Sequence, residues 1–157
     1  MELLQIIKKI LQFFGLLEKD EILYAKEKGK EGEKNVASVF QDSNIKYLSN
    51  LYLPHYYGYT EIDLLLITRV GLFITEVKNY NNCIVVGNEE DEKWVVQYSS
   101  GKTYDMYNPL KQNENHIKTL LNYLDEKSKR YLYSLIVFSD RAILKVPVRK
   151  KGVYLIN

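Results

Sequence analysis

The chain has 157 residues, 46% hydrophobic and 27% charged, which bounds it to one soluble globular domain with a real core. A net charge of +2 excludes bulk basicity as an argument for a nucleic-acid partner. The single cysteine, Cys83, excludes an internal disulfide and fits a reducing, cytoplasmic compartment, and it has no Cys or His neighbour at zinc-finger spacing.

Residues 3–17 predict an amphipathic helix, set apart as a segment over 1–20 ahead of a domain over 21–157. Leucine, isoleucine and phenylalanine fill one broad face, and Gln5, Lys8, Lys9 and Gln12 the other. These polar interruptions exclude a membrane span. Acidic Glu2 and the lack of a small-residue cleavage site argue against a signal peptide. The apolar face has two readings: packing on the domain or a second copy as a homodimer, or lying peripherally on a membrane surface.

A second helix is expected from about Glu21 or Lys26 to Phe40, with breaks near Gly29 and Gly32. Val36, Ala37 and Phe40 mark its buried face, and Glu33 shares that face. A strand over about 45–53 leads into a Pro/Gly/Tyr-rich loop from Pro54 to Tyr59. Two alternating runs follow, TEIDLLLIT (60–68) and GLFITEVKNY (71–80), separated by so short a break that they predict an antiparallel hairpin. Asn79 to Asn82 reads as a turn, because Asn tolerates left-handed backbone. A short strand at Cys83–Val86 and a hairpin from WVVQY and TYDMY come next. Asn108 and Pro109 predict the cap and first residue of a helix to about Leu124, and Tyr131–Phe138 a strand. The element order implies an α/β fold with a mixed central sheet flanked by helices.

The first of these hairpins carries the chemistry. A turn centred on Arg69 and Val70 makes cross-strand partners sum to 139, so Asp63 faces Glu76, and alternation places Lys78 beside Glu76. Two acids inside apolar strands cost free energy unless a positive charge lies between them, and a divalent ion is the natural candidate. Mg²⁺ or Mn²⁺ held by Asp63, Glu76 and the Val77 carbonyl supplies what phosphodiester hydrolysis needs. Lys78 would hold the attacking water or the phosphate, and Glu33 would bind metal through water or accept a proton. The rival arrangement is an ion-pair cluster on a solvent-facing sheet, with Glu61 and Lys78 as a cross-strand salt bridge; spacing alone leaves the two level. Most of the 14 tyrosines read as surface packing, with Tyr56, Tyr57 and Tyr59 best placed to stack on bases. His116 reads as a partly exposed structural histidine.

Six segments in order, GKEGEKNVASVF, LSNLYLP, TEIDLLLITRVGLFITEVKNY, Trp94, YNPLKQNENHIKTL and SLIVFSDRAIL, resemble the nuclease-related domain (NERD) family, a branch of the PD-(D/E)xK nuclease superfamily. The resemblance implies a restriction-endonuclease-like core. It places Glu33, Asp63, Glu76 and Lys78 at catalytic positions, and Gln112 where many members carry a glutamine near the site. It implies a Mg²⁺- or Mn²⁺-dependent nuclease cutting DNA with low sequence specificity, RNA staying open. Asn82 stands where the family often has Gly, and Asn can adopt the same backbone. Gln112 lies off the apolar stripe, so it reaches a cleft only beside the helix N-terminus. The rival functions are a catalytically inactive nucleic-acid-binding module and a membrane-associated or dimeric scaffold acting through residues 3–17.

Overall fold

The structure, a computed structural model, describes residues 19–41 and 45–157. The amphipathic helix expected over 3–17 lies outside the described residues. The first described element is helix α1, Lys19–Gln41, which runs unbroken through Gly29 and Gly32. Gly32 survives inside it for a packing reason. A Cβ there would stand 2.7 Å from Cβ of Asn79, and the Asn79 side-chain amide donates to the Lys28 carbonyl at 2.6 Å. This close crossing pins α1 against the end of the strand that carries Glu76, with Glu33 the next residue along. Gly32→Ala should therefore cost about 1–3 kcal/mol, read as a lower midpoint in urea, whereas Gly29→Ala, which meets nothing within 4 Å, should be neutral or stabilising.

Strands β1 (Lys46–His55), β2 (Gly58–Ile67) and β3 (Leu72–Lys78) form an antiparallel meander. The loop expected from Pro54 to Tyr59 is instead the tip of the β1–β2 hairpin, whose pairing continues to His55 opposite Gly58. Pro54 is tolerated there because β1 is an edge strand. β4 (Cys83–Val86), β5 (Lys93–Tyr98) and β6 (Thr103–Tyr107) precede helix α2 (Pro109–Leu121). A 3₁₀ turn (Glu126–Tyr131), β7 (Leu132–Phe138), β8 (Ala142–Lys145) and β9 (Val153–Ile156) complete the chain. The larger sheet has the order β1-β2-β3-β7-β9 and is mixed, since β3, β7 and β9 pair in parallel. A second sheet, β6-β5-β4-β8, encloses its own core around Trp94, Val85, Val96 and Phe138.

The larger sheet is covered on both faces, as its parallel centre requires. Val36, Ala37 and Phe40 of α1 pack with Leu64, Leu66 and Leu135 on one side. On the other side Ile117 and Leu120 of α2, with Leu124 just beyond it, pack with Ile62, Leu65 and Ile74. The α2 start is fixed as its sequence predicts: Asn108 Oδ1 accepts from the Leu110 N–H at 2.9 Å, with Pro109 at the first position. Asn113, fully buried, then ties α2 to the sheet by donating to the Ile74 carbonyl (2.7 Å) and Ser134 Oγ (2.8 Å).

Simple alternation fails at one point of β2. Ile62 and Leu64, two residues apart, pack in opposite cores. The switch coincides with Asn50, which has a φ of 51° and stands in register opposite Asp63, where the β1–β2 ladder is interrupted. The pleat is broken at the acid the sequence singles out.

Candidate active site

The β2–β3 register obeys the expected sum of 139, from Ile67 opposite Leu72 to Leu64 opposite Thr75. The next pair would be Asp63 and Glu76, and there the ladder stops. β3 continues against β7, with Glu76 beside Ile136 and Lys78 beside Phe138, while β2 continues against β1. The strands part, and the fork between them is bridged by a side chain: Asp63 Oδ2 accepts the Val77 N–H at 2.8 Å.

Glu76 is 3% exposed, and each of its oxygens faces a different neighbour. Oε1 accepts from Lys78 Nζ at 2.7 Å, and Lys78 Nζ also donates to Gln112 Oε1 at 3.0 Å. Gln112 sits in the first turn of α2, so the condition set by its place off the apolar stripe is met. Glu76 Oε2 lies 3.4 Å from His116 Nε2, too far or too misaligned for a good hydrogen bond, and both atoms are buried without another partner. His116 Nδ1 is 2.6 Å from Thr60 Oγ1. His116 is thus buried within the site rather than partly exposed. Two signals pointed there: it stands one helical turn after Gln112, and an apolar-face histidine needs partners for both ring nitrogens.

The two acids differ electrostatically. Burial works against charged Glu76, but His116 and Lys78 together outweigh it and hold the carboxyl below the ordinary range. For Asp63, burial and then repulsion from Glu76 raise the carboxyl to about 7, against the opposing pull of the Val77 N–H; Glu33 adds to the rise. Glu33 makes no direct hydrogen bond to this group. Its Oε2 accepts from Asn50 Nδ2 at 3.0 Å, and it acts on Asp63 through space. Glu61 is not paired with Lys78. Its Oε1 takes the Tyr52 hydroxyl at 2.7 Å, with Asn50 Nδ2 at 3.3 Å, because the fork carries β3 away from β2 before residues 61 and 78 can meet. The rival cross-strand salt bridge is therefore not formed.

Among the described residues, no group of three or more His, Cys, Asp and Glu side chains is arranged to hold a metal ion. The residues that could hold a cation here are Asp63 and Glu76, whose carboxylate oxygens suit a hard divalent ion. The unpartnered Glu76 oxygen and the unmatched charge of Asp63 are the features such an ion would relieve.

A family model described as nuclease-related domain matches residues 28–139, a stretch that contains Glu33, Asp63, Glu76, Lys78 and Gln112. The chain belongs to the nuclease-related domain family. The mixed sheet with helices on both faces is consistent with a nuclease-like core. An uncharacterized protein of Bacillus anthracis is 36% identical to this nuclease-related domain over 97 residues, covering 59% of the chain and 45% of the relative. The chain thus spans less than half of that relative's length. No solved structure matches this nuclease-related domain. Asn82, at the position where the family often has Gly, has a φ of 55°, so it does adopt the backbone that glycine favours. Among the described residues no helix is long and apolar enough to cross a membrane.

Proposed function

We propose that this domain hydrolyses phosphodiester bonds of DNA with Mg²⁺ or Mn²⁺, RNA being the alternative substrate. One observation carries the reading: Asp63, Glu76 and Lys78 meet where two paired strands separate, with one Glu76 oxygen left without a partner. A purely structural ion pair would close on itself, and this cluster leaves acid capacity over.

Asp63, Glu76 and the Val77 carbonyl would hold the ion, which when bound supplies charge cover for the phosphoryl oxygens and lowers the pKa of water. The chain's own groups do the rest. The Val77 N–H orients Asp63 through Oδ2. Gln112 holds Lys78 Nζ in place, so the ammonium can donate to a nonbridging phosphate oxygen as negative charge builds on it. Glu33, positioned by Asn50, faces the same space and is the acceptor for the proton of the attacking water. The water oxygen bonds to phosphorus, the bond to the leaving oxygen breaks, and that oxygen takes up a proton. Thr60 Oγ1, 2.6 Å from His116 Nδ1, fixes the imidazole beside Glu76 Oε2.

The test is a cleavage assay on linear, circular and single-stranded DNA in Mg²⁺, Mn²⁺ or EDTA, with Lys78→Met purified in parallel. Cutting that needs metal and drops about 10²–10³-fold in the variant supports the proposal. DNA binding with no cutting in either metal would move the reading to an inactive nucleic-acid-binding module.

A further inference from the structure

A groove of about 1350 Å³ runs between α1 and the β1–β2 hairpin. Its helical wall carries Lys26, Lys30 and Lys34 in one stripe, all exposed and none in an ion pair with a described residue. Their spacing of four residues gives about 6 Å between successive ammonium-bearing positions along the helix, close to the phosphate-to-phosphate distance of an extended strand. The opposite wall carries Tyr52, a residue 58% exposed whose hydroxyl donates to Glu61 at 2.7 Å. Glu33 lines the same groove, which opens beside the proposed site.

A lysine stripe facing a fixed exposed aromatic is how proteins grip single strands: charges track the backbone and a ring stacks a base. A duplex lacks free base faces along its length. We infer that this groove binds a single strand of nucleic acid, with Lys26, Lys30 and Lys34 on successive phosphates and Tyr52 stacking a base. The inference rests on the proposed nuclease reading for what the strand is bound for, but binding can be measured apart from cleavage. The near-neutral net charge is no objection, because the positive charge is local to one wall.

The experiment is fluorescence anisotropy of the full chain in EDTA, which prevents metal-dependent cutting. The probes are a labelled 20-nucleotide oligothymidylate and a blunt 20-base-pair duplex. Oligothymidylate should bind at least about tenfold tighter, and three phosphate contacts predict a slope of log K against log salt near −2. The triple variant Lys26→Glu/Lys30→Glu/Lys34→Glu should abolish the preference. A charge-matched control, Arg69→Glu/Lys102→Glu/Lys145→Glu, at exposed positions outside the groove, should keep it. Tyr52→Ala should weaken oligothymidylate by roughly fivefold or more, and Tyr52→Phe should not. Circular dichroism checks that each variant is folded. Equal affinity for both probes, or equal loss in the triple and control variants, overturns the inference. Single-strand binding with these dependences but no cutting in Mg²⁺ or Mn²⁺ would leave the groove standing and sink the catalytic reading; metal-dependent cutting indifferent to the three lysines and Tyr52 would do the reverse.

Discussion

Asp63→Asn should melt higher than the wild type in EDTA at pH 8, and it should be inactive. The physical reason is that Asp63 ionises near 3.8 in an unfolded chain but is raised to about 7 in the fold, first by burial and then by Glu76. Between those two values the folded protein holds one more proton than the unfolded chain, so stability falls as pH rises. The penalty is absent below about pH 3.8 and complete above about pH 7. A shift of this size corresponds to about 2–4 kcal/mol, or roughly 5–10 °C of melting temperature in a chain of this length. Asparagine keeps an acceptor for the Val77 N–H and removes the charge. The gain should therefore shrink steadily as the buffer is taken from pH 8 toward pH 4. Mn²⁺ should raise the melting temperature of the wild type at pH 8 and leave Asp63→Asn nearly unmoved, because the variant has lost the charge that the ion relieves. Differential scanning fluorimetry across pH, with and without Mn²⁺, decides this. A variant less stable than wild type at pH 8 would show that Asp63 is stabilised by a partner.

Glu76→Ala should have the opposite sign. This acid is held by Lys78 and faces His116, and its removal leaves the Lys78 ammonium in a largely buried position without its counter-charge. Breaking a buried pair by deleting one member costs about 3–5 kcal/mol, so the variant should unfold well below the wild type in urea. Because the folded pKa of Glu76 is depressed, its contribution is present above the unfolded value near 4.5 and is lost as pH falls through the lower folded value. The wild type and Glu76→Ala should thus converge in stability only in strongly acidic buffer. Lys78→Met in the Glu76→Ala background should recover part of the loss, and a double-mutant cycle measures how much. Strict additivity would mean that the two side chains do not stabilise each other. The neighbouring acids of one site are expected to respond in opposite directions, which no symmetrical account of two repelling carboxylates gives.

Much of the site was legible in the chain because the relevant patterns are short-range. The turn at Arg69 and Val70 sets the β2–β3 register, and the register sets which residues approach each other. Asn108 followed by Pro109 marks the start of α2, which brings Gln112 near the strand end. That register brings Asp63 and Glu76 to the same end of the hairpin, although the ladder itself stops one pair short of them. The rival pairing of Glu61 with Lys78 rests on extending alternation past Asp63, where Asn50 in a left-handed conformation breaks the pleat. The burial of His116 is not legible locally, because its environment comes from Thr60 and Glu76 on strands distant in sequence from α2.

The sequence by itself determined the elements that depend on neighbours a few residues apart: the alternating strands, the hairpin register, the helix cap, and the family to which the chain belongs. The tertiary structure decided where β2 and β3 separate: the β2 ladder ends at Leu64 opposite Thr75, while β3 goes on pairing with β7 through Lys78. It also decided that Glu76 is held charged while Asp63 is pushed toward neutrality. Two carboxylates of like chemistry, opposite one another in the hairpin register, differ only through burial and the charges that distant segments bring to them, and neither quantity is written in local sequence.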